Sequence, residues 1–124
     1  MKFDARTANG IAYVAVVDGQ VTEESDANDA ISACWSYDTR LLFLPQSAIS
    51  EEFRRLSTRV AGQFLGKLAN YQVRTAAVID GSDATGPWGD FLSEAKMGTD
   101  FRVCASEEEA VAWLTEDPGI SDGR

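Results

Sequence analysis

The chain contains no histidine, and this absence excludes several kinds of catalysis. Histidine is the usual general base, the commonest metal ligand and the side chain that titrates near neutral pH. Triads that pair a serine or cysteine nucleophile with histidine are therefore excluded. Only Lys2, Lys67 and Lys96 could form a Schiff base. The sequence predicts neither catalytic residues nor a cofactor, and it favours a protein that is not an enzyme.

Cysteines, positive charges and long apolar runs are also scarce. Cys34 and Cys104 lie far apart in the sequence and form no Cys-x-x-Cys motif, so they are predicted to be buried, reduced thiols. With 20 acidic and 11 basic side chains, the net charge of −9 argues against nucleic acid and anionic membranes as partners. No apolar run reaches the roughly 18 residues of a membrane span, and the first residues lack an apolar signal-peptide core. We expect a cytoplasmic protein.

Strand-like and helix-like patterns alternate along the 124 residues. Apolar runs predict strands, and amphipathic spacing with capping residues predicts helices. The predicted strands are 2–7, 11–17, 40–44, 72–79 and 101–105, and the predicted helices are 25–36, 50–70, 85–98 and 106–114. Asn9-Gly10 between the first two strands predicts a hairpin. The order ββαβαβαβα predicts an α/β fold with a mixed, mostly parallel five-stranded sheet, right-handed crossovers and an antiparallel edge strand. A single domain over 1–115 and a disordered tail over 116–124 are expected.

The segment 50–70 is predicted to form one long amphipathic helix. Ser50 is its expected N-cap, and apolar side chains recur at helical spacing. These apolar positions are Phe53, Leu56, Val60, Ala61, Phe64, Leu65 and Leu68. Gly62 and Gly66 weaken a helix, so each needs a reason. Tight packing over the sheet is the favoured explanation, and contact with a partner or a second copy of the chain is the alternative.

Two aromatic side chains beside this helix are also assigned to the interior. Trp35 shares the apolar face of the first helix with Ile31 and Cys34 at helical spacing. Tyr71, directly after the long helix, is expected to pack its ring under the edge of the sheet. Asn70 precedes it and tolerates the left-handed backbone that closes many helices. We predict structural roles for all of these residues.

The same segment carries a family resemblance. Its pattern Phe-x-x-Leu-x-Thr-x-x-Ala-Gly, followed by Asn-Tyr and a strand, resembles a family of small bacterial proteins called domain of unknown function 4180. The matching residues are Phe53, Leu56, Thr58, Ala61, Gly62, Asn70 and Tyr71. The closing strand and acidic helix, residues 101–114, resemble the same family. Arg59 and Gln63 stand where the family has glycine and glutamate, so a role tied to those two residue types is not expected here.

The order of elements also resembles the STAS-like domain, the fold of bacterial anti-sigma-factor antagonists. That resemblance implies a right-handed β-α superhelix and binding of proteins, nucleotides or lipids. Some STAS-like proteins are phosphorylated on a serine in an Asp-Ser-Ser/Thr-Gly motif after the third strand. Here the region reads PQSAISEE, residues 45–52, and the motif is missing. Ser50 is therefore interpreted as an N-cap, and a phosphorylation switch is the less favoured alternative.

A polar loop follows the fourth strand and is the richest candidate for a ligand site. Ligands of parallel sheets usually bind outside the carboxyl ends of the strands. The candidate ligand-binding residues are Asp80, Ser82, Asp83, Thr85 and Trp88. An aromatic ring beside polar groups is typical of a small-molecule pocket, and two aspartates could hold a divalent cation or serve a carboxylate-based enzyme. The simpler interpretation is a turn followed by a helix cap, since such residues are what turns need.

Basic side chains form the second candidate site, on the outer face of the predicted long helix. They are Arg54, Arg55, Arg59 and Lys67. On an acidic protein, such a stripe could bind an acidic protein partner. A solvated helix face is the simpler interpretation. We expect a non-enzymatic protein-interaction or regulatory domain with an unidentified protein partner, and homodimerisation through the long helix is a further hypothesis. A small-molecule or lipid-binding module is the alternative.

Overall fold

Five strands form one mixed sheet in the order β1-β2-β3-β4-β5. The structure is a computed structural model that describes residues 1–81 and 85–116. The strands are β1 Lys2–Ala8, β2 Ile11–Asp18, β3 Leu41–Leu44, β4 Arg74–Val78 and β5 Phe101–Cys104. β1 runs antiparallel to β2, and the other neighbouring pairs are parallel. The predicted α/β class and the antiparallel edge strand are confirmed.

The hairpin forms where Asn9-Gly10 predicted it. Asn9 has φ 54° and Gly10 has φ 77°. A two-residue hairpin turn of this kind needs both central residues at positive φ, where asparagine and glycine are the least strained residue types. Ala8 consequently pairs with Ile11, and the register continues along both strands to Lys2 and Asp18, with one irregularity between Lys2 and Phe3.

The described residues contain five α-helices. They are α1 Asp26–Ser36, α2 Glu51–Arg54, α3 Val60–Asn70, α4 Gly86–Ala95 and α5 Glu107–Leu114. Two short 3₁₀ turns, Gln46–Ala48 and Leu56–Thr58, lie before α2 and before α3. Within the described ranges, no helix is both long enough and apolar enough to cross a membrane. The predicted tail from 117 onward lies outside the described residues.

The prediction of one continuous helix over 50–70 is wrong. Arg59 adopts a left-handed conformation with φ 66° and separates α2 from α3. The Thr58 hydroxyl lies 2.7 Å from the carbonyl oxygen of Glu52 and 2.8 Å from that of Arg55, and it accepts the Val60 N–H at 3.2 Å. One threonine side chain thus satisfies backbone groups that a continuous helix would pair internally. The helix stops because this local alternative is available.

The sheet buries two separate cores, one on each face. The α1–α4 face, covered by α1, α2, α3 and α4, holds the larger core, with Phe53, Phe64 and Leu42 fully buried. The α5 face, covered by α5, holds a smaller core around Phe43 and Trp113. The alternation of β3 explains the division, because Leu42 and Leu44 point to the first face and Phe43 to the second. The apolar residues of the predicted long helix still lie toward the first core despite the break.

The serine and cysteine predictions are confirmed. The Ser50 hydroxyl accepts the Phe53 N–H at 3.0 Å, which makes Ser50 the N-cap of α2. The same hydroxyl donates to the carbonyl oxygen of Val21, and Ser50 is buried. This burial leaves no room for a phosphoryl group without local unfolding. Cys34 and Cys104 are both buried and unpaired with each other.

Candidate functional site

A cavity opens at the carboxyl ends of β4 and β5, at the edge of the sheet where the polar loop begins. Its volume is about 940 Å³. Its apolar floor comes from the strand ends and α4, and consists of Val78, Ile79, Leu92, Val103 and Cys104. Its polar rim includes Asp80, Asp90, Ser93, Lys96 and Glu109. Strands that are parallel and adjacent end at one edge, so this position follows directly from the sheet topology.

The predicted ligand residues divide into three groups in the structure. Asp80 and Thr85 line this cavity, so the structure brings these two together. Ser82 and Asp83 lie outside the described residues. Trp88 is absent from the described lining and instead packs edge-on against Phe53 at 6.2 Å and stacks on Phe91 at 5.5 Å. The ring of Trp88 therefore belongs to the α1–α4 core, because the first turn of α4 faces that core.

The electrostatics of the cavity favour positive charge. Three carboxylates, those of Asp80, Asp90 and Glu109, face one ammonium group, that of Lys96. Glu109 is engaged at the start of α5, where its carboxylate accepts the Ala105 N–H at 3.1 Å. Burial and the Glu109 carboxylate raise the pKa of the Cys104 thiol, which keeps it protonated and unreactive. Within residues 1–81 and 85–116, no group of three or more His, Cys, Asp or Glu side chains could hold a metal ion.

The predicted basic stripe is divided by the break between α2 and α3. Arg54 and Arg55 lie on α2, Arg59 lies at the break, and Lys67 lies two turns along α3. Arg55 Nη2 forms an exposed salt bridge with Glu51 Oε1 at 3.0 Å, which contributes little stability. The four side chains consequently do not share one continuous helix face. Lys67 alone among them lines a shallow groove along α3.

This groove runs over the outer side of α3 and is open because two of its residues are glycines. A methyl group added at Gly62 or Gly66 would meet no atom within 4 Å. The favoured explanation of tight packing over the sheet is therefore wrong for both glycines. Asn70 and Tyr71 close one end of the groove, and Glu24 lies at its side. The glycines keep a recess of about 480 Å³ on the surface of the helix.

An exposed aromatic pair lies at the end of this groove. Trp35 is 61% exposed and Tyr71 is 45% exposed, and their rings contact edge to face with centroids 5.8 Å apart. Both were predicted to be buried, and both predictions are wrong. Trp35 directly follows the fully buried Cys34 on α1, so its side chain turns away from the core, and Tyr71 follows the end of α3. The signal that could have found Trp35 is its position next to the core-facing Cys34 on the helix.

The sequence matches one protein family over most of its length. A model described as Domain of unknown function (DUF4180) matches residues 6–114. The chain belongs to this family. The match begins within β1 and extends to the end of α5, and it includes the cavity, the groove and the aromatic pair. It confirms the family resemblance found in segment 50–81, whereas the likeness to STAS-like domains stays a prediction. A search of curated proteins finds no match.

Proposed function

We propose that this DUF4180 chain is a non-enzymatic protein-interaction domain whose partner binds across the outer surfaces of α1 and α3. The observation that carries the proposal is the exposed pair of Trp35 and Tyr71 beside an open groove. Tryptophan and tyrosine are the residue types that most often dominate protein–protein binding energy. Two such rings in contact on the surface present a rigid apolar feature, and they lose little conformational freedom when a partner covers them.

The glycines of α3 support the same surface. Each glycine inside a helix lowers stability by roughly 1 kcal/mol relative to alanine. No neighbouring atom of the described chain occupies the space above Gly62 or Gly66. A partner backbone or small side chain that enters this recess would give the glycines a role that the chain alone does not give them.

The charges around the surface favour an acidic partner. Lys67 lines the groove, and Arg54, Arg55 and Arg59 lie exposed on the segment that leads into α3. The whole chain carries a net charge of −9, so this local basic group stands out as a positive area on an acidic protein. Complementary charge at a rim raises association rates and selects among partners. We expect the partner to present an acidic, partly helical segment.

Site-specific photo-crosslinking in cells tests the proposal. A photoreactive residue at position 35 should capture a defined protein, and the same residue at position 97 should not. Met97 is a suitable control because it is 79% exposed and follows α4, away from the groove. Captured proteins that are the same at both positions, or none at position 35, would contradict an interaction surface here.

Variants of the groove then test how the captured partner binds. Gly66→Ala should raise the free energy of unfolding by about 0.5–1 kcal/mol and still weaken partner binding, because it fills the recess. Arg55→Glu with Arg59→Glu should slow association, and Trp35→Ala should weaken binding most. Light scattering of the purified chain decides whether the partner is a second copy, as the homodimer hypothesis holds. An unchanged affinity in Gly66→Ala would remove the groove from the interface.

A second candidate function is small-molecule binding in the cavity at the ends of β4 and β5. The cavity itself favours it, because an apolar floor with a few polar groups at its rim is typical of ligand sites. A ligand that stabilises the folded chain would raise its unfolding temperature. Ser93→Trp should abolish that rise by filling the cavity, whereas Glu94→Trp, on the same helix and outside the described lining, should preserve it. An equal response in both variants would place the ligand elsewhere.

A further inference from the structure

Two arginines converge on one tryptophan on the α5 face of the sheet. The guanidinium carbon of Arg74 lies 4.2 Å from the centre of the Trp113 ring, and that of Arg102 lies 5.0 Å from it. Arg74 begins β4 and Arg102 lies in the neighbouring strand β5, two places along the ladder. The alternation of both strands sends the two side chains to the same face. Each distance is within the range of a cation–π contact.

Two other arginines have carboxylate partners, whereas this half-buried pair has none among the described residues. Arg6 binds Asp4 at 3.2 Å and Glu107 at 3.4 Å, and Arg55 binds Glu51. Within residues 1–81 and 85–116, Arg74 and Arg102 form no salt bridge. Arg102 Nε donates to the carbonyl oxygen of Gly98 at 3.0 Å. Each guanidinium carries five N–H donors, so most donors of this pair have no acceptor among the described residues.

Burial and nearby charges both act on the pair, and both side chains are half-buried. Burial lowers the pKa of Arg74, and the positive charge of Arg102 lowers it further. The negative charges of Glu116 and Asp100 raise it, and the effect of Glu116 exceeds that of Arg102. Within residues 1–81 and 85–116, no salt bridge joins either carboxylate to the pair. A negative group placed between the guanidiniums would remove their mutual repulsion and supply the missing acceptors.

We infer that Arg74 and Arg102 form a binding site for a single oxyanion group, a carboxylate or a phosphate, with the Trp113 ring as its fixed support. Guanidinium groups are planar forks that match the paired oxygens of both anions. The indole ring holds the two guanidinium groups in place, so their side chains lose little conformational freedom when the anion binds. The net charge of −9 argues against a polyanion such as nucleic acid at this site.

This site is independent of the proposed interaction surface. Trp113, Arg74 and Arg102 lie on the α5 face, whereas Trp35 and the glycine groove lie on the outer side of the α1–α4 face. Loss of one site therefore leaves the other intact, and separate variants test them.

Isothermal titration calorimetry of the full chain with sodium phosphate, and separately with sodium succinate, tests the inference. Sodium chloride holds the ionic strength constant, because general screening would otherwise imitate a specific effect. Arg74→Gln and Arg102→Gln should each weaken anion binding about tenfold or more, as expected for loss of a charged hydrogen-bond donor. Lys2→Gln removes one positive charge from an exposed position on β1, outside both proposed sites, and should bind like the parent chain.

Lysine variants separate the effect of the paired guanidinium donors from the effect of the positive charge. They also keep the test decisive if a glutamine variant fails to fold. Arg74→Lys and Arg102→Lys keep the positive charge and lose the paired donors, so we expect binding several-fold weaker than in the parent chain. The tighter of the two anions identifies the chemical class of the ligand. No binding heat with either anion, or equal affinity in the parent, Lys2→Gln and Arg102→Lys chains, would overturn the inference.

Discussion

Two tryptophans on opposite sides of the sheet show how differently its faces are covered. Trp35, on the side of the four helices, is 61% exposed, and its ring lies beyond the core. Trp113, on α5, is only 9% exposed and lies under two arginine side chains. Phe53, Phe64 and Trp88 already supply the aromatic rings of the α1–α4 core, and Trp35 lies outside it. On the α5 face, Trp113 is the ring that enters the core.

The length of α5 explains the second arrangement. Its eight residues extend about 12 Å, which is too short to cover five strands. Arg74 and Arg102 are half-buried on this face, and their guanidinium groups both lie over the Trp113 ring. The short helix thus leaves room for two guanidinium groups at one indole. The oxyanion site is a consequence of the thinner cover on this face.

The largest expected effect comes from breaking the aromatic packing of the α1–α4 face. Phe53 is fully buried and contacts Phe64 and Trp88 edge to face. Phe53→Ala should lower the free energy of unfolding by about 3–5 kcal/mol. Trp35→Ala, on the same side of the sheet, should lower it by less than about 1 kcal/mol, because most of that ring is already in water. Urea unfolding measures both changes. Similar losses in the two variants would show that Trp35 is part of the core.

The next largest effect is expected from removing a serine N-cap. The chain offers one such cap on each face of the sheet, Ser50 and Ser106, so the two losses of stability can be compared directly. Ser50 caps α2 from a buried position and also donates to the Val21 carbonyl, whereas Ser106 caps α5 in solvent by accepting the Glu109 N–H at 3.2 Å. Ser50→Ala leaves two buried backbone groups unpaired and should cost about 2–3 kcal/mol. Ser106→Ala should cost about 0.5–1 kcal/mol, because water replaces the lost bond. Equal costs in urea unfolding would mean that water reaches Ser50.

The raised pKa values of the two buried cysteines predict that the free energy of unfolding falls at alkaline pH. Burial raises the pKa of Cys34, on the α1–α4 face, from 9.0 to about 11. Below pH 9.0 the Cys34 thiol is protonated in both the folded and the unfolded chain, so its contribution to the free energy of unfolding is fully present. As pH rises toward the higher value the unfolded chain ionises first, and stability falls by on the order of 2 kcal/mol.

Alanine variants isolate this contribution from that of other groups that titrate in the same range. Cys34→Ala should flatten the decline in the free energy of unfolding between the two pKa values. Cys104→Ala should flatten it less, because Cys104 borders the cavity at the ends of β4 and β5. Urea unfolding of the three chains across this pH range gives the slopes. Identical slopes in Cys34→Ala and the parent would show that the Cys34 thiol is hydrated in the folded chain.

The elements that depend on local sequence were predictable, and the break in the long helix was not. Asn9-Gly10 specifies its turn because few residues tolerate positive φ, and Ser50 and Ser106 specify caps because they precede acidic first turns. Segment 55–59 contains no proline or glycine, and its apolar spacing continues unbroken. The break depends on one threonine hydroxyl that satisfies three backbone groups, which is a matter of geometry rather than of pattern.

The candidate sites depended on the tertiary structure more than on sequence spacing. The crevice rule predicted the edge of the sheet at which Asp80 and Thr85 line the cavity, because it needs only the strand order. Trp35 and Tyr71 lie far apart in sequence and meet because α1 and α3 pack side by side. Arg74 and Arg102 meet at Trp113 because three separate elements bring them there. No pattern within a single element contains such contacts.

The smallest expected effect is a gain in stability from a buried threonine. Thr75 lies on the α1–α4 face, is 1% exposed, and its hydroxyl has no hydrogen-bond partner among residues 1–81 and 85–116. Thr115, equally shielded beside α5, accepts from Asn9 Nδ2 at 3.0 Å and donates to the Val111 carbonyl at 2.7 Å. Valine has nearly the shape of threonine and no hydroxyl to desolvate.

Thr75→Val should therefore raise the free energy of unfolding by about 1 kcal/mol, and Thr115→Val should lower it by about 1–2 kcal/mol. Urea unfolding of both variants at one pH measures the difference, which is more secure than either value alone because the chemical change is the same. A loss of stability in Thr75→Val would mean that a bound water satisfies the hydroxyl. The larger core would then contain a hydrated position under its four helices. Coverage by four helices rather than one would then not be enough to keep water out of the core.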